Sequence, residues 1–360
     1  MIQIYAFGSN GSGQLALGHE SDVSHPQKIS FSNDCSIKSV EQLRAGGNHT
    51  LLLAGENLYI SGVLSNDSIG IISTHDKFSR VRLPDDLNIQ PSIVYCAACW
   101  EASIFVQKDE NGLSNKIYTL GTGNYGELGH GEDECVLADA KLINDFPSVG
   151  LEISDLAASV SHVVVVLNNG EVYGWGNGRK GQIGEPKKKV YKPRKIRGLD
   201  FKIVRVICGR EFTCLLGEPK SGNFKILGSD KWSIISSAPE TLRNWKDIGG
   251  GWGSIHVLIE DGKIVSWGRN DHGQLAPPDI PRVSHIAIGS EHALGLTMDG
   301  VLLAWGWGEH GNCGPLPLYK EAERNWSTFR ASECIGNGYK FIGIGAGCAT
   351  SWIYAELLEN

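Results

Sequence analysis

The chain has no apolar run near the roughly 20 residues that a membrane-spanning helix needs. It has no excess of basic residues either, since 33 Lys and Arg stand against 40 Asp and Glu and the net charge is −7. This acidic balance disfavours a surface built for phosphate backbones or anionic membranes, and the one basic cluster, at residues 187–192, is typical of a solvated edge. A strand-like segment follows the first Met directly, so we expect neither a signal peptide nor a basic tail. We therefore expect no direct contact with nucleic acid or with a membrane.

The sequence also lacks the common signatures of catalysis. It contains no G-x-S-x-G, no P-loop and no H-E-x-x-H, so we predict a protein without catalytic residues or a cofactor. Its nine cysteines are odd in number and scattered, which is typical of reduced thiols in a cytoplasmic or nuclear protein. Cys96 and Cys99 have CxxC spacing, but a structural zinc site needs a second pair of ligands. We expect no metal site.

Glycine, in contrast, is abundant, and its 46 residues mark a repeat. Each copy is an apolar strand that ends in an aromatic residue and Gly, then a polar turn, then Gly-Gln-Leu or a variant; the sharpest copy is WGWGEHGNCG at residues 305–314. Five clear copies and two weaker ones place the first turn glycine at Gly8, Gly62, Gly121, Gly176, Gly228, Gly268 and Gly306. Their spacing of about 40–60 residues is close to that of propeller blades. Seven copies of a β-unit predict a closed ring.

A second repeated unit precedes each turn glycine. It contains a β-branched strand, a Gly-x-x-His turn or a variant, a second strand and a tight hairpin such as Asn169–Gly170. The full unit then has four strands, and Pro26 and Pro193 mark the fourth as an outer edge strand. The C-terminal residues supply a first and a second strand, and the N-terminal residues supply a third and a fourth. We predict an all-β fold in which a single seven-bladed β-propeller, closed by strands from both termini, spans residues 1–360.

The combination of aromatic-Gly-x-x-x-x-Gly-Gln-Leu with a preceding Gly-x-x-His resembles the repeat of the regulator of chromosome condensation (RCC1-like) family. The resemblance extends from Tyr5 to Tyr354 and implies a seven-bladed β-propeller. The sequence is most similar to a short fungal branch of that family, the α-tubulin-suppressor and killer-toxin-insensitivity propellers. The matching stretches include residues 46–49, 252–256 and 305–315, where EHGNC is absent from generic repeats.

Strands of a meander alternate in direction, so the Gly-x-x-His turns and the aromatic-Gly turns lie on one face of the ring. Loops on such a face commonly carry function. At the histidine position the aligned first turns have His49, Glu101, His162, Phe212, Gly253, His292 and Ala349. One residue earlier they have Asn48, Trp100, Ser161, Glu211, Trp252, Glu291 and Cys348.

These positions allow two interpretations. Repeated histidines favour a scaffold role in which each hydrogen-bonds a neighbouring turn. Trp100 and Trp252 beside carboxylates are typical of a protein-binding hot spot, but large aromatics also fill grooves between blades. In the last aromatic-Gly turn, surface recognition is favoured over acid–base catalysis, because adjacent residues rarely converge on one substrate atom. The predicted partner-binding residues are Asn48, His49, Trp100, Glu101, Glu211, Phe212, Trp252, Glu291, His292, Trp307, Glu309, His310 and Cys348.

The resemblance to the fungal branch also implies a function. Propellers of that branch form a heterodimer with the small CSL-type zinc protein of diphthamide biosynthesis, an acidic electron carrier whose metal is bound by four cysteines. The pair supports diphthamide formation on elongation factor 2 and Elongator-dependent modification of wobble uridines in tRNA. The resemblance thus predicts a noncatalytic scaffold, with this zinc protein as partner and the Elongator complex as a second. The alternative is guanine-nucleotide exchange on a Ran-like GTPase, whose chromatin-bound exchange factors typically have a basic tail and a β-wedge that we do not find in this acidic sequence.

Overall fold

The structure is a computed structural model, and it describes residues 1–33, 35–63, 74–83, 92–315 and 325–358. In those residues the strands form seven antiparallel sheets, which confirms the all-β, seven-bladed propeller. The N-terminal strands β1 (Ile2–Gly8) and β2 (Val23–Lys28) belong to blade 1. Blade 2 contains β3 (Gln42–Ala45), β4 (His49–Ala54), β5 (Asn57–Val63) and β6 (Thr74–Arg80). Blade 3 contains β7 (Ile93–Ala98), β8 (Ala102–Lys108), β9 (Ser114–Thr122) and β10 (Val136–Leu142).

The remaining blades follow in chain order. Blade 4 contains β11 (Ile153–Ser159), β12 (His162–Leu167), β13 (Val172–Asn177) and β14 (Lys189–Lys195). Blade 5 contains β15 (Arg205–Cys208), β16 (Phe212–Leu216) and β17 (Phe224–Gly228), and blade 6 contains β18 (Trp245–Gly250), β19 (Ser254–Ile259) and β20 (Ile264–Gly268). Blade 7 contains β21 (Val283–Ile288), β22 (His292–Thr297), β23 (Leu302–Gly306) and β24 (Ser327–Phe329). The C-terminal strands β25 (Tyr339–Ala346) and β26 (Thr350–Leu357) complete blade 1.

The ring closes as the sequence predicts. β1 pairs antiparallel with β26 over its whole length, from Ile2 opposite Glu356 to Gly8 opposite Thr350. The first strands β3, β7, β11, β15, β18, β21 and β25 contact one another in a continuous cycle around the axis. The inner edges of the sheets therefore face a narrow channel, where they are shielded from pairing with another chain.

The position of each strand in its blade explains its composition. Second strands lie between the first and third strands of their blade, where the neighbouring blades cover both faces of the sheet. They are therefore continuous apolar runs such as HVVVVL in β12, where every residue is buried. Fourth strands lie at the outer edge of each sheet, and in β2 no residue is fully buried. Pro26 in β2 and Pro193 in β14 are accommodated there, because an edge strand need not donate every ladder hydrogen bond.

Two blades differ from the predicted four-stranded unit. In the described residues, blades 5 and 6 have three strands each. After β20 the chain carries Pro277, Pro278 and Pro281, which cannot donate to a ladder. After β17 it forms a short 3₁₀ turn at Lys231–Ser233 and then buries Ile234, whose carbonyl accepts the indole N–H of Trp267 at 2.9 Å.

The helical content is small. Residues 318–333 contain Lys, Glu, Ala and Arg, a composition that predicts one or two helical turns. The short helix α1 (Ala331–Cys334) begins inside this segment, and residues 318–324 lie outside the described residues. In the repeat pattern, residues 64–91 are a long connection between strands. Of these, the structure describes residues 74–83, which contain β6. Within the described ranges, no helix has the length and apolar character needed to cross a membrane.

The seven turn glycines have one shared conformation. All have φ between 91° and 120°, a region that other residues rarely adopt. At Gly176 an added Cβ would lie 2.5 Å from the carbonyl oxygen of Ser161, and the next amide, that of Asn177, donates to the same oxygen at 2.7 Å. The glycine therefore lets the third strand return closely over the first turn, and this contact places both sets of loops on one face.

Candidate protein-interaction site

The strand register identifies the equivalent first-turn residue in each blade, because one residue of every second strand lies opposite the turn glycine. These residues are His49, Ala102, His162, Phe212, Ser254, His292 and Thr350. The sequence alignment is therefore wrong by one residue in three blades, where it places Glu101, Gly253 and Ala349. Those blades lack the histidine, so their sequences offer no anchor for the alignment.

The histidines at this position join neighbouring blades. Nε2 of His49 lies 3.1 Å from Ser103 Oγ in the next blade. The pairs His162–Thr213 at 3.0 Å and His292–Ser351 at 2.9 Å repeat this contact. Burial lowers the pKa of each of these histidines to about 4. The interpretation of the histidines as scaffold residues agrees with these contacts, although their partners lie in the second strand of the next blade and not in a turn.

Where the histidine is absent, its partner position changes as well. Ala102 lies in one apolar cluster with Val163 of the next blade, and Phe212 lies in another with Ile255. In these five contacts between blades, polar residues pair with polar ones and apolar residues with apolar ones, as buried polar groups require. His49, His292 and Phe212 are almost completely buried, so these three predicted partner-binding residues present no side-chain surface to a partner.

The predicted tryptophans do meet. Trp100 from blade 3 and Trp252 from blade 6 have ring centroids 5.9 Å apart with a 43° tilt. Both line the top of the central channel. Trp100 also packs on blade 2, since a Cβ added to Gly47 would lie 2.6 Å from its ring. Trp100 nevertheless stays 38% exposed, so it both packs on the adjacent turn and offers aromatic surface.

A cleft of about 310 Å³ opens beside this pair. We call it the Trp100 cleft; it is lined by Trp100, Glu101, Thr122, Asn124, Tyr125, Glu127, Val160, Ser161, Arg210 and Trp252. Tyr125, in the aromatic-Gly turn of blade 3, is 39% exposed. Its ring lies 4.8 Å from Lys189 Nζ, and the ring of Trp252 lies 5.3 Å from Arg210 Cζ. The cleft therefore has aromatic walls and basic groups at its rim.

Glu127 is the most unusual group in the Trp100 cleft. It is 4% exposed, and burial raises the pKa of its carboxyl to about 7, against the opposing effects of its hydrogen bonds and of Lys189. One of its oxygens accepts the amide of Tyr125 at 2.7 Å. The nearby carboxylate of Glu101 raises the same pKa further. At neutral pH this carboxyl is divided between its charged and neutral forms.

A second cluster lies around the aromatic-Gly turn of blade 7. Trp307 contacts the ring of His310, whose Nδ1 lies 2.9 Å from Asp22 Oδ2 in blade 1. Glu291 is buried and accepts from Arg269 at 2.6 Å and from Gln274 at 2.8 Å. These contacts occupy Glu291 within the fold, and the ring of Trp307 also lies 6.0 Å from that of His272 in blade 6.

The other predicted residues are more dispersed. Asn48 and Glu309 are exposed, and Glu211 and Cys348 are partly buried. The carbonyls of Asn48 and Glu211 accept the amides of Val63 and Ser229, so their backbones have the structural role seen in every blade. Of the thirteen predicted residues, only Trp100, Glu101 and Trp252 line the Trp100 cleft.

The central channel is a larger cavity of about 570 Å³, lined by the first strands. Its main ionic contacts join blades: Arg205 lies 3.6 Å from Asp155 and 3.3 Å from Asp247. The amide of Val206 donates to Asp155 at 2.7 Å. Among the residues that the structure describes, no group of three or more His, Cys, Asp or Glu is placed to hold a metal. The exposed aromatic cleft, rather than the channel, is the stronger candidate site.

Comparison with known proteins agrees with this architecture. The sequence profile of the RCC1-like domain matches residues 3–353. The chain belongs to the RCC1-like domain family. An RCC1 repeat-containing protein of Schizosaccharomyces pombe is 29% identical over 375 residues, covering 98% of this chain and 99% of that protein. The secretion-regulating guanine nucleotide exchange factor of Bos taurus is 26% identical over 298 residues, which cover 76% of this chain and 61% of the relative.

Solved structures of this family have the same fold. Human WBSCR16 superposes with a TM-score of 0.78 at 17% identity, covering 100% of both chains. Prp20p of Saccharomyces cerevisiae, described with its binding to Gsp1p and histones, superposes with a TM-score of 0.80 at 19% identity, covering 100% of this chain and 92% of that one. At these identities the likeness shows the RCC1-like propeller fold alone.

Tyr125, Glu127 and Arg210 were not among the residues predicted from the sequence of this RCC1-like propeller. A signal for Glu127 was present, because the same position in other copies is Gln14, Gln182 and Gln274. The position of Arg210 had no such signal, because its contact with Trp252 depends on how the first turns of the adjacent blades 5 and 6 pack, where the amide of Arg210 donates to the carbonyl of Trp252 at 3.0 Å.

Proposed function

We propose that this RCC1-like propeller is a noncatalytic scaffold that binds the small CSL-type zinc protein of diphthamide biosynthesis. The pair would support diphthamide formation on elongation factor 2 and, with the Elongator complex as a second partner, wobble-uridine modification in tRNA. The proposal rests on the resemblance to the short fungal branch of the family and on the Trp100 cleft. We expect the scaffold in the cytoplasm or the nucleus, in keeping with its nine free cysteines.

The observation that carries the proposal is the exposed aromatic surface of Trp100 and Tyr125 on the loop-rich face. Tryptophan and tyrosine are enriched among residues that dominate interface energetics. Lys189 and Arg210 lie at the rim, and within the described part of the chain neither has a carboxylate at ion-pair distance. Unneutralised basic groups around an aromatic centre fit an acidic partner.

The test is the affinity of the purified zinc protein from the same organism for the wild-type propeller and for Trp100→Ala and Trp252→Ala. A hot-spot tryptophan contributes about 2 kcal/mol or more, so each change should weaken binding about 30-fold. Met298→Ala is a matched control, because Met298 is 77% exposed and lies beside the Asp299–Gly300 hairpin on the opposite face. Thermal unfolding of each variant checks that the fold is intact, and unchanged affinity in both tryptophan variants would move the interface elsewhere.

The same variants test the pathway in cells. A strain without this protein should lack diphthamide and the Elongator-dependent uridine modification, and wild type should restore both. Trp100→Ala together with Trp252→Ala should restore neither at equal protein level. Restoration of both modifications by the double variant would contradict the proposal.

The alternative is guanine-nucleotide exchange, which the name of the bovine relative favours. Release of labelled GDP from a Ran-like GTPase, with and without the propeller, distinguishes the two. Stimulated release without binding of the zinc protein would replace the scaffold proposal with the exchange-factor one.

A further inference from the structure

The buried carboxylate of Glu127 occupies a position where the other blades place an amide. Gln14, Gln182 and Gln274 each accept, through Oε1, the backbone amide two residues earlier, at 2.8, 3.0 and 2.9 Å. Glu127 accepts the amide of Tyr125 in the same way, at 2.7 Å. A neutral glutamine is therefore sufficient for this turn, and the fold has no structural need for a charge at residue 127.

The charge of Glu127 is also poorly compensated. Its carboxyl is almost fully buried, and burying an ionised group without a partner is costly. Among the described residues no Lys, Arg or His lies within ion-pair distance of it. The charged and titratable groups around it are Glu101 and the buried thiol of Cys99 on the first turn, and Lys189 behind Tyr125. Lys189 bonds the carbonyl of Asn124 instead, at 3.1 Å.

The side of Glu127 that lines the Trp100 cleft is open toward aromatic walls. Aromatic rings attract cations, and the rings of Tyr125 and Trp252 already hold Lys189 and Arg210 of this chain. With Arg210 on the Trp252 side, the space between Trp100 and the two carboxylates of Glu101 and Glu127 is the part of the cleft that favours positive charge.

We propose that the Trp100 cleft receives one arginine or lysine side chain of the protein that docks on this face, with Trp100 against its stem and Glu127 and Glu101 as counter-charges. This inference rests on the proposed scaffold function for the identity of the docked protein. It adds that the partner, although acidic, presents a basic residue at the centre of its interface. The centre of the cleft therefore favours the opposite charge from the basic rim, which favours acidic groups.

Binding of a cation next to Glu127 favours its ionised form, so affinity rises with pH. For a carboxyl with a pKa of about 7, the ionised fraction increases about tenfold between pH 6 and pH 8, and affinity should increase by about the same factor. In Glu127→Gln the amide acceptor of the turn is kept and the charge is lost. We expect this variant to bind about tenfold or more weakly at pH 8 and to lose the pH dependence.

Two kinds of probe test the inference. The first is N-acetyl-argininamide, compared with its neutral isostere N-acetyl-citrullinamide, with binding measured by tryptophan fluorescence. The second is the purified zinc protein. The arginine probe should bind wild type more strongly at pH 8 than at pH 6, and the citrulline probe should not bind. The Glu127→Gln variant should no longer bind the arginine probe. The control variant Asp133→Asn, which removes an exposed carboxyl in the connection to β10, should bind it as wild type does.

The two probes also separate this inference from the proposed function. If the zinc protein binds wild type and Glu127→Gln equally at pH 6 and pH 8 and the arginine probe does not bind, the cation site is refuted while the scaffold function stands. If the zinc protein fails to bind wild type, the scaffold function is refuted and the arginine probe alone decides the cation site. Equal binding of both amide probes would also refute it.

Discussion

Replacing Glu127 by Gln should remove the contribution of one buried carboxyl to the pH dependence of this protein's stability. The folded state holds the carboxyl at a pKa of about 7, raised chiefly by burial from an ordinary value of 4.5. The folded protein therefore binds this proton more tightly than the unfolded chain does. The resulting stabilisation is fully present below pH 4.5 and is lost as the pH rises through 7.

The magnitude follows from the difference between the two pKa values, which corresponds to up to about 3 kcal/mol. At pH 5 the neutral carboxyl of wild type and the side-chain amide of the variant differ little, since both accept the backbone N–H of Tyr125. At pH 8 the folded wild type holds a buried negative charge at residue 127, whereas the variant has a neutral side chain there. We expect the free energy of unfolding of Glu127→Gln to exceed that of wild type by about 2–3 kcal/mol at pH 8 and by less than about 1 kcal/mol at pH 5.

Urea denaturation of both proteins at pH 5, 6.5 and 8, followed by far-UV circular dichroism, measures this difference. The buried histidines also titrate on unfolding, since burial lowers their pKa values to about 3–4. They do so in both proteins, so the difference between wild type and variant isolates Glu127. Parallel stability curves for the two proteins would show that Glu127 is not buried in the way described here.

Two further predictions concern the contacts between blades. His162→Phe and Thr213→Val should each lower the free energy of unfolding by about 1–3 kcal/mol, because each leaves a buried polar partner unsatisfied. The double variant should lose less than the sum of the two, and additive losses in urea denaturation would contradict the pairing. Gly176→Ala should lower the free energy of unfolding by at least about 2 kcal/mol, because φ is +97° and the new Cβ would lie 2.5 Å from a carbonyl oxygen. Gly11→Ala, which has open space around its Cβ, is its control, and equal thermal midpoints for the two variants would refute the strain.

The local pattern of the sequence was sufficient for the fold. The aromatic-Gly turns, the Asx-Gly hairpins and the apolar second strands repeat, and each repeat is a unit that buries its faces only against its neighbours. The split blade was predictable for the same reason, because β25–β26 and β1–β2 are complementary halves of one unit. The missing fourth strands of blades 5 and 6, within the part of the chain that the structure describes, were not anticipated, since the outermost strand has only one neighbour and the least apolar pattern.

The candidate site was only partly predictable. Trp100 and Trp252 were identified by residue type, but their contact joins blades 3 and 6 across the channel, and no local pattern encodes that distance. The histidines of the first turns were interpreted as scaffold residues, but His49 and His292 were also included among the predicted partner-binding residues. Both are buried, so their side chains cannot contact a partner.

The sequence by itself determined the number of blades, the closure of the ring and the face that carries the loops, because these depend on short-range patterns that repeat. Only the tertiary structure decided which loop residues meet. It placed Tyr125 and Glu127 of one turn beside Trp100 of another, and among the described residues it left Glu127 buried without a partner charge at ion-pair distance. Burial and charge compensation depend on neighbours that are distant in sequence, and so the site's chemistry, unlike the fold, depends on how the blades pack.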